Sequence, residues 1–218
     1  MIRKLAHLFV WMILLAALPA TSQAQDLNTV INNVLKATGA GNLTTIRYSG
    51  SGSSYTAGKD AVWVKSYTRD IDLSVPVSKV QIVRQQGTPA VESMEMQNTG
   101  TDAPWSKQYE LWTNPWAFAN AAVNNKATVS TQALFGEKYT VVAFTLQNKY
   151  KVSGFINGQN MLERIQTWID PNETPVETIY REYQDFNGLK FPTMIIEKQA
   201  NELAMVVIVN DVKVKVGM

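Results

Sequence analysis

The chain has 218 residues, and its 20 basic and 18 acidic side chains give a formal net charge of +2. It contains no cysteine, and its one histidine is His7, so disulfides, Ser-His-Asp triads, cysteine nucleophiles and ordinary zinc or copper sites are excluded after that position. Without Arg3 and Lys4 the chain has 18 basic and 18 acidic residues, which leaves no basic field for nucleic acid. We therefore predict no catalytic residue, no metal site, no cofactor and no nucleic-acid partner.

Residues 1–24 have the pattern of an export signal. Arg3 and Lys4 precede an uncharged apolar run of 11 residues, Leu8 to Leu18, and Ser22-Gln23-Ala24 supplies the small residues that signal peptidase reads. The run is shorter than the roughly 20 residues that span a bilayer; an uncleaved anchor is the alternative. We predict cleavage after Ala24, a periplasmic or secreted bacterial protein with no later transmembrane span, and one domain over residues 25–218.

Two helices are predicted. Between Asp26 and Thr38, apolar residues recur at the i, i+3, i+4, i+7 spacing of one helix face, with Asp26 suited to the N-cap and Gly39 to the stop. Asn114-Pro115 is a second start signal, for a helix that runs to about Val123.

The rest of the chain is predicted as strands. Thr44 to Tyr55 is rich in Gly and Ser, and it favours a bent strand or loop over a phosphate loop because no lysine or helix pattern follows. The other β-prone runs are Val62–Leu73, Lys79–Gln86, Val91–Gln97, Thr128–Leu134, Lys138–Leu146, Tyr150–Ile156, Met161–Ile169, Val176–Phe186, Leu189–Lys198 and Leu203–Val214. Asn187-Gly188 is the strongest hairpin signal, since both residues tolerate positive φ.

These elements predict an α+β, mainly β fold. Short turns between successive strands indicate an antiparallel meander and not a parallel sheet with crossover helices. We expect a single curved antiparallel sheet, a half-barrel, with about two helices packed in its concave side.

Two groups of side chains invite a functional interpretation. Five aromatic residues lie within 14 positions between Trp105 and Phe118, and they either anchor a helix onto the sheet or line a ligand cleft. Asp70 and Asp72 share one face of a predicted strand, with Arg69 on the other face. Since no third ligand accompanies the two carboxylates, we interpret them as solvent-facing.

Several segments resemble a known group of proteins. They are Lys65–Asp72, Lys149–Val152, Gly154–Asn157, Glu163–Asp170 and Tyr183–Thr193. In order, they are similar to the non-catalytic N-terminal region that precedes the metallo-β-lactamase-fold domain of exported bacterial proteins. The final hairpin also resembles strands of LolA-like lipoprotein carriers. This second resemblance implies a curved sheet closed around helices, with an apolar groove for acyl chains.

The resemblance carries no catalytic residue over, because the zinc ligands of the longer proteins lie in a His-x-His-x-Asp motif that this chain lacks. We therefore predict a non-catalytic binding or carrier module for a hydrophobic or acylated ligand. The alternative is an accessory domain that packs against a metallo-β-lactamase-fold hydrolase or another partner protein. The residues expected to line the apolar groove are Trp63, Tyr67, Trp112, Trp116, Phe118 and Trp168.

Overall fold

A computed structural model describes residues 26–57, 59–134, 136–170 and 175–217. The predicted signal in residues 1–24 lies outside the described residues. The helices are α1 (Leu27–Thr38), α2 (Trp105–Trp112) and α3 (Pro115–Asn124). The strands are β1 (Leu43–Ser54), β2 (Val62–Asp72), β3 (Val77–Gln86), β4 (Val91–Thr99), β5 (Thr128–Leu134), β6 (Glu137–Leu146), β7 (Tyr150–Ile156), β8 (Leu162–Thr167), β9 (Val176–Phe186), β10 (Leu189–Gln199) and β11 (Glu202–Val216).

Across the described ranges, the strands form one open, curved antiparallel sheet of eleven strands in the order β4-β3-β2-β1-β11-β10-β9-β8-β7-β6-β5. Two meanders, β1 to β4 and β5 to β11, are joined where β1 pairs with β11. The predicted half-barrel is confirmed. We call the face that carries the helices the concave face and the opposite one the outer face.

The β9–β10 hairpin has the predicted tight turn. Asn187 and Gly188 both have positive φ, 55° and 89°, as a primed two-residue turn requires. Phe186 pairs directly with Leu189. The Asp185 carboxylate accepts a hydrogen bond from the Gly188 amide at 2.8 Å, which fixes the turn.

Helices α1 and α3 begin where the capping signals placed them. Asp26 accepts a hydrogen bond from the Thr29 amide at 3.1 Å, and Gly39 ends α1 with φ 73°. The Asn114 side chain accepts hydrogen bonds from the first amides of α3. The third helix, α2, was not predicted, because Pro104 provides no side-chain cap and polar residues interrupt its apolar pattern.

The core lies between the helices and the concave face. Its largest fully buried side chains include Phe118, Phe191, Leu111 and Ile165. Phe118 packs so closely on β7 that a Cβ added at Gly154 would lie 2.4 Å from its Cζ. The glycine therefore makes room for the aromatic ring.

The glycine-rich segment is the bent strand β1 and not a phosphate loop. The pairing register shifts at Gly50 against β11 and again between Gly50 and Gly52 against β2. A Cβ at either glycine would lie about 2 Å from a carbonyl oxygen of β11, so only glycine allows this approach of the two backbones.

Candidate functional site

A cavity of about 400 Å³ lies on the concave face, beside the β1–β2 connection and the β10–β11 turn. Strands β1 to β4, β10 and β11 contribute to its walls, and α2 closes one side. The helices and their aromatic side chains fill much of the remaining concave face. The volume falls in the range of small-molecule pockets, roughly 300–1,000 Å³.

The cavity has an exposed mouth and a buried inner end. Thr56, Gln86 and Ser93 are exposed residues of its lining, whereas Tyr67 and Tyr109 are buried. Polar side chains make up most of the lining, and Val80, Ile82 and Met205 add aliphatic side chains to it. The apolar part of a ligand that enters would therefore leave water where it contacts these aliphatic side chains.

An ion pair flanks the mouth. Arg84 Nη1 lies 2.5 Å from Glu95 Oε2, and Arg84 Nε donates a hydrogen bond to Ser54 Oγ at 3.2 Å. Gln97 donates to the other oxygen of Glu95 at 2.7 Å. The hydrogen bonds from Arg84 and then Gln97 lower the pKa of Glu95, so this carboxylate is ionised and already satisfied.

A buried arginine ties α2 to the sheet behind the cavity. Arg69, 4% exposed, donates from Nε to Ser78 Oγ at 2.9 Å and from Nη2 to the Glu110 carbonyl oxygen at 2.7 Å. The same nitrogen lies 4.0 Å from the Glu110 carboxylate. The predicted position of Arg69 opposite Asp70 and Asp72 is therefore confirmed, and its burial is the part that sequence reasoning missed.

Glu197 faces the cavity near this inner end. It is partly buried and belongs to the lining together with Tyr67, Tyr109 and Glu110. Burial, reinforced by the nearby Glu110 carboxylate and opposed by Arg69, raises the pKa of Glu197 to about 7. Within the described residues its carboxylate makes no hydrogen bond or ion pair.

The aromatic residues expected in the groove are divided among three environments. Tyr67 lines the cavity. Trp116 stacks on Phe191 with ring centroids 5.2 Å apart, and Phe118 lies 5.3 Å from Phe144, so these two rings belong to the core. Trp112 is also buried, and it borders a groove between α1 and α3.

Trp63 and Trp168 lie away from the cavity. Trp63 is 52% exposed and lies on the outer face, since its neighbour Val62 lines the cavity. A β-bulge between Val64 and Ser66 shifts the alternation of β2, so Trp63 and Tyr67 point to opposite faces although they are four residues apart. Trp168 is half-buried beyond the end of β8, where its carbonyl oxygen accepts a 2.7 Å hydrogen bond from Trp105 Nε1.

The two aspartates of β2 make contacts within the protein. Asp70 lies 3.6 Å from Arg47, and Asp72 accepts hydrogen bonds from the amides of Ser74 and Val75. A depression of about 740 Å³ borders these residues on the outer face, and six of its twelve lining residues are charged. Within the described ranges, no three His, Cys, Asp or Glu side chains are grouped to hold a metal ion.

Comparison with solved structures defines the class of fold. The chain has a LolA-like fold. It is similar to a LolA superfamily protein from Nitrosomonas europaea, with a TM-score of 0.52 and 9% identity over 87% of this chain and 93% of that one. A DUF1329 family protein from Desulfovibrio piger gives 0.52 and 8% identity over 88% and 94% of the two chains.

A third similar structure is a putative outer membrane lipoprotein-sorting protein domain from Vibrio parahaemolyticus, with a TM-score of 0.51 and 7% identity over 88% of this chain and 95% of that one. No protein-family model matches the chain, and no curated protein matches it in sequence. At these identities the likeness shows the fold alone. None of the helices in the described ranges has the length and apolar character needed to cross a bilayer.

Proposed function

We propose that the protein is a non-catalytic binding or carrier module that holds an apolar or acylated ligand in the concave cavity. The observation that carries this proposal is the cavity itself, which runs from an exposed mouth to a buried inner end beside an otherwise packed core. A relative in fold is described as a lipoprotein-sorting protein domain, which supports the same class. Export to the periplasm, through the signal predicted in residues 1–24, is part of the proposal.

Binding would be driven by the burial of aliphatic chain. Val80, Ile82 and Met205 offer apolar walls, and each Å² of apolar surface removed from water contributes about 25 cal/mol. No step of chemistry is required of the side chains. The cavity would accept a ligand at its mouth and release it there unchanged.

The test is to purify the protein from cells without detergent, extract it with organic solvent, and identify co-purifying lipid by mass spectrometry. Near-stoichiometric lipid or acyl species are expected. Ile82→Trp fills the cavity and should abolish co-purification, whereas Val83→Trp, one residue along on the outer side of β3, should retain it. Thermal melts establish that both variants fold. A ligand-free protein whose tryptophan fluorescence does not respond to added lipid would contradict the proposal.

A second candidate function is supported by a patch on the outer face. Met94 and Met96 on the edge strand β4 are 64% and 72% exposed, and Trp63 on β2, two strands away, is 52% exposed. Large exposed apolar side chains on one face of a sheet are typical of interaction surfaces, as expected of an accessory domain that packs on a hydrolase or another partner. If this candidate is correct, replacing Trp63 and Met96 with serine should abolish association with the partner and leave lipid co-purification intact.

A further inference from the structure

The charges around the cavity do not balance. Two arginines and two carboxylates form pairs: Arg84 with Glu95 at 2.5 Å, and Arg69 with Glu110 at 4.0 Å. Glu197 is the third carboxylate of the lining, and no described cation forms an ion pair with it, although Arg69 acts on it from a distance. When Glu197 ionises, a partly buried carboxylate is left without an ion-pair partner, which is costly unless a counter-ion arrives.

The groups around Glu197 cannot supply that counter-ion. From β2, Arg69 is held by Ser78 and Glu110, and Tyr67 is neutral; Tyr109 and Glu110 of α2 add no positive charge. Tyr48 of β1 and Tyr180 of β9 lie near enough for charge coupling, and burial raises the pKa of both phenols, so they also stay neutral. Arg84 of β3 is committed to Glu95.

Aromatic rings border the same end of the cavity. Tyr67 and Tyr109 belong to the lining, and Tyr48 stacks on Tyr67 with ring centroids 5.9 Å apart. The faces of such rings attract cations, and the attraction is strongest where water is excluded. A carboxylate beside phenol rings is the combination that recognises an ammonium group.

We propose that the inner end of the cavity binds a positively charged nitrogen of the ligand, with Glu197 as its counter-ion. The inference rests on the proposed function and narrows the ligand class to amphiphiles that carry an alkylammonium group. The ammonium group would lie against Glu197, Tyr67 and Tyr109, and the chain would extend along Val80 and Ile82 toward the mouth. An anionic head group at this end would meet the carboxylates of Glu110 and Glu197 and is disfavoured.

The experiment compares three probes with the same chain, namely decylamine, decanol and decanoate, each below its micelle concentration, by calorimetry at pH 8 on the delipidated protein. Decylamine should bind at least about tenfold more tightly than decanol, and decanoate more weakly than decanol. Glu197→Gln should reduce the preference for decylamine over decanol to less than about twofold. Glu92→Gln is the matched control, since Glu92 pairs with Lys65 on the outer face, and it should retain the preference.

The outcomes separate this inference from the function on which it rests. If all three probes bind equally, or if Glu197→Gln keeps the preference, the cation site is refuted while the carrier function stands. If none binds, and Ile82→Trp changes nothing, the carrier function fails as well. Should Glu197→Gln melt well below the parent protein, Glu197→Asp, which keeps the charge and withdraws it by one methylene, must retain part of the preference.

Discussion

Replacing Arg69 with methionine would test whether this buried arginine holds α2 onto the sheet. Methionine keeps most of the apolar stem and removes the guanidinium, so Ser78 Oγ and the Glu110 carbonyl oxygen both lose their donor. Breaking a buried charged pair costs about 3–5 kcal/mol. Because the Glu110 side chain is 26% exposed, water relieves part of that cost, and we expect a loss of about 3 kcal/mol.

Urea denaturation measures this loss directly, and a thermal melt should fall by about 6–12 °C for a domain of this size. Arg47→Met is the matched control. Arg47 lies on the adjacent strand β1, is 58% exposed, and reaches Asp70 at 3.6 Å, so its removal should cost about 0–1 kcal/mol. If Arg69→Met costs no more than Arg47→Met, the hydrogen bonds assigned to Arg69 do not stabilise the protein and the reasoning is wrong.

Three further predictions concern single sites. Gly154→Val should lower the free energy of unfolding by about 2–3 kcal/mol, because its side chain would collide with Phe118; an unchanged urea midpoint would contradict this packing. Gly188→Ala should lower the free energy of unfolding by about 1 kcal/mol, because Gly188 has a φ of 89°. Gly158→Ala is the control for both glycine variants, since a Cβ at Gly158 would meet open space, and it should melt like the parent protein. The pKa of Glu197 is raised from 4.5 to about 7 in the folded protein, so stability should decrease as pH rises between those values. Glu197→Gln should remove this part of the pH dependence, and an unaltered pH profile in the variant would argue against the burial of its carboxyl.

Most strands could be predicted because local rules determine them. Tyr150–Ile156 and Val176–Phe186 have the predicted bounds, since their β-prone runs are delimited by turn residues. The pairing of β1 with β11 could not be predicted, because nothing local relates two strands at opposite ends of the domain. Helix α2 was missed for lack of a cap, and Trp63 was assigned to the groove because a bulge in β2 leaves no mark in the sequence.

The site was harder to predict than the fold, although the spacing of charged and apolar residues along two strands did indicate it. On β10, Phe191, Ile195 and Glu197 occupy alternate positions, and the first two are buried. On β2, Arg69 likewise lies on the same face as the buried Tyr67 and Ile71, two residues from each. A charged residue that shares every second position of a strand with buried apolar residues indicates such a site. Strand geometry places its side chain on the buried face, where another group must compensate its charge.

The pairing of β1 with β11 also constrains how the protein can fold. Thr44 and Lys215, in contact across this pair, are 171 residues apart in the chain. Closing so long a loop is entropically unfavourable, and native contacts of this kind slow folding. Each meander can form its own hairpins early, but the curved sheet becomes continuous only when the last strand joins the first. Until then the cavity has only part of its wall, so ligand binding should appear late in refolding, after most of the strand signal has returned.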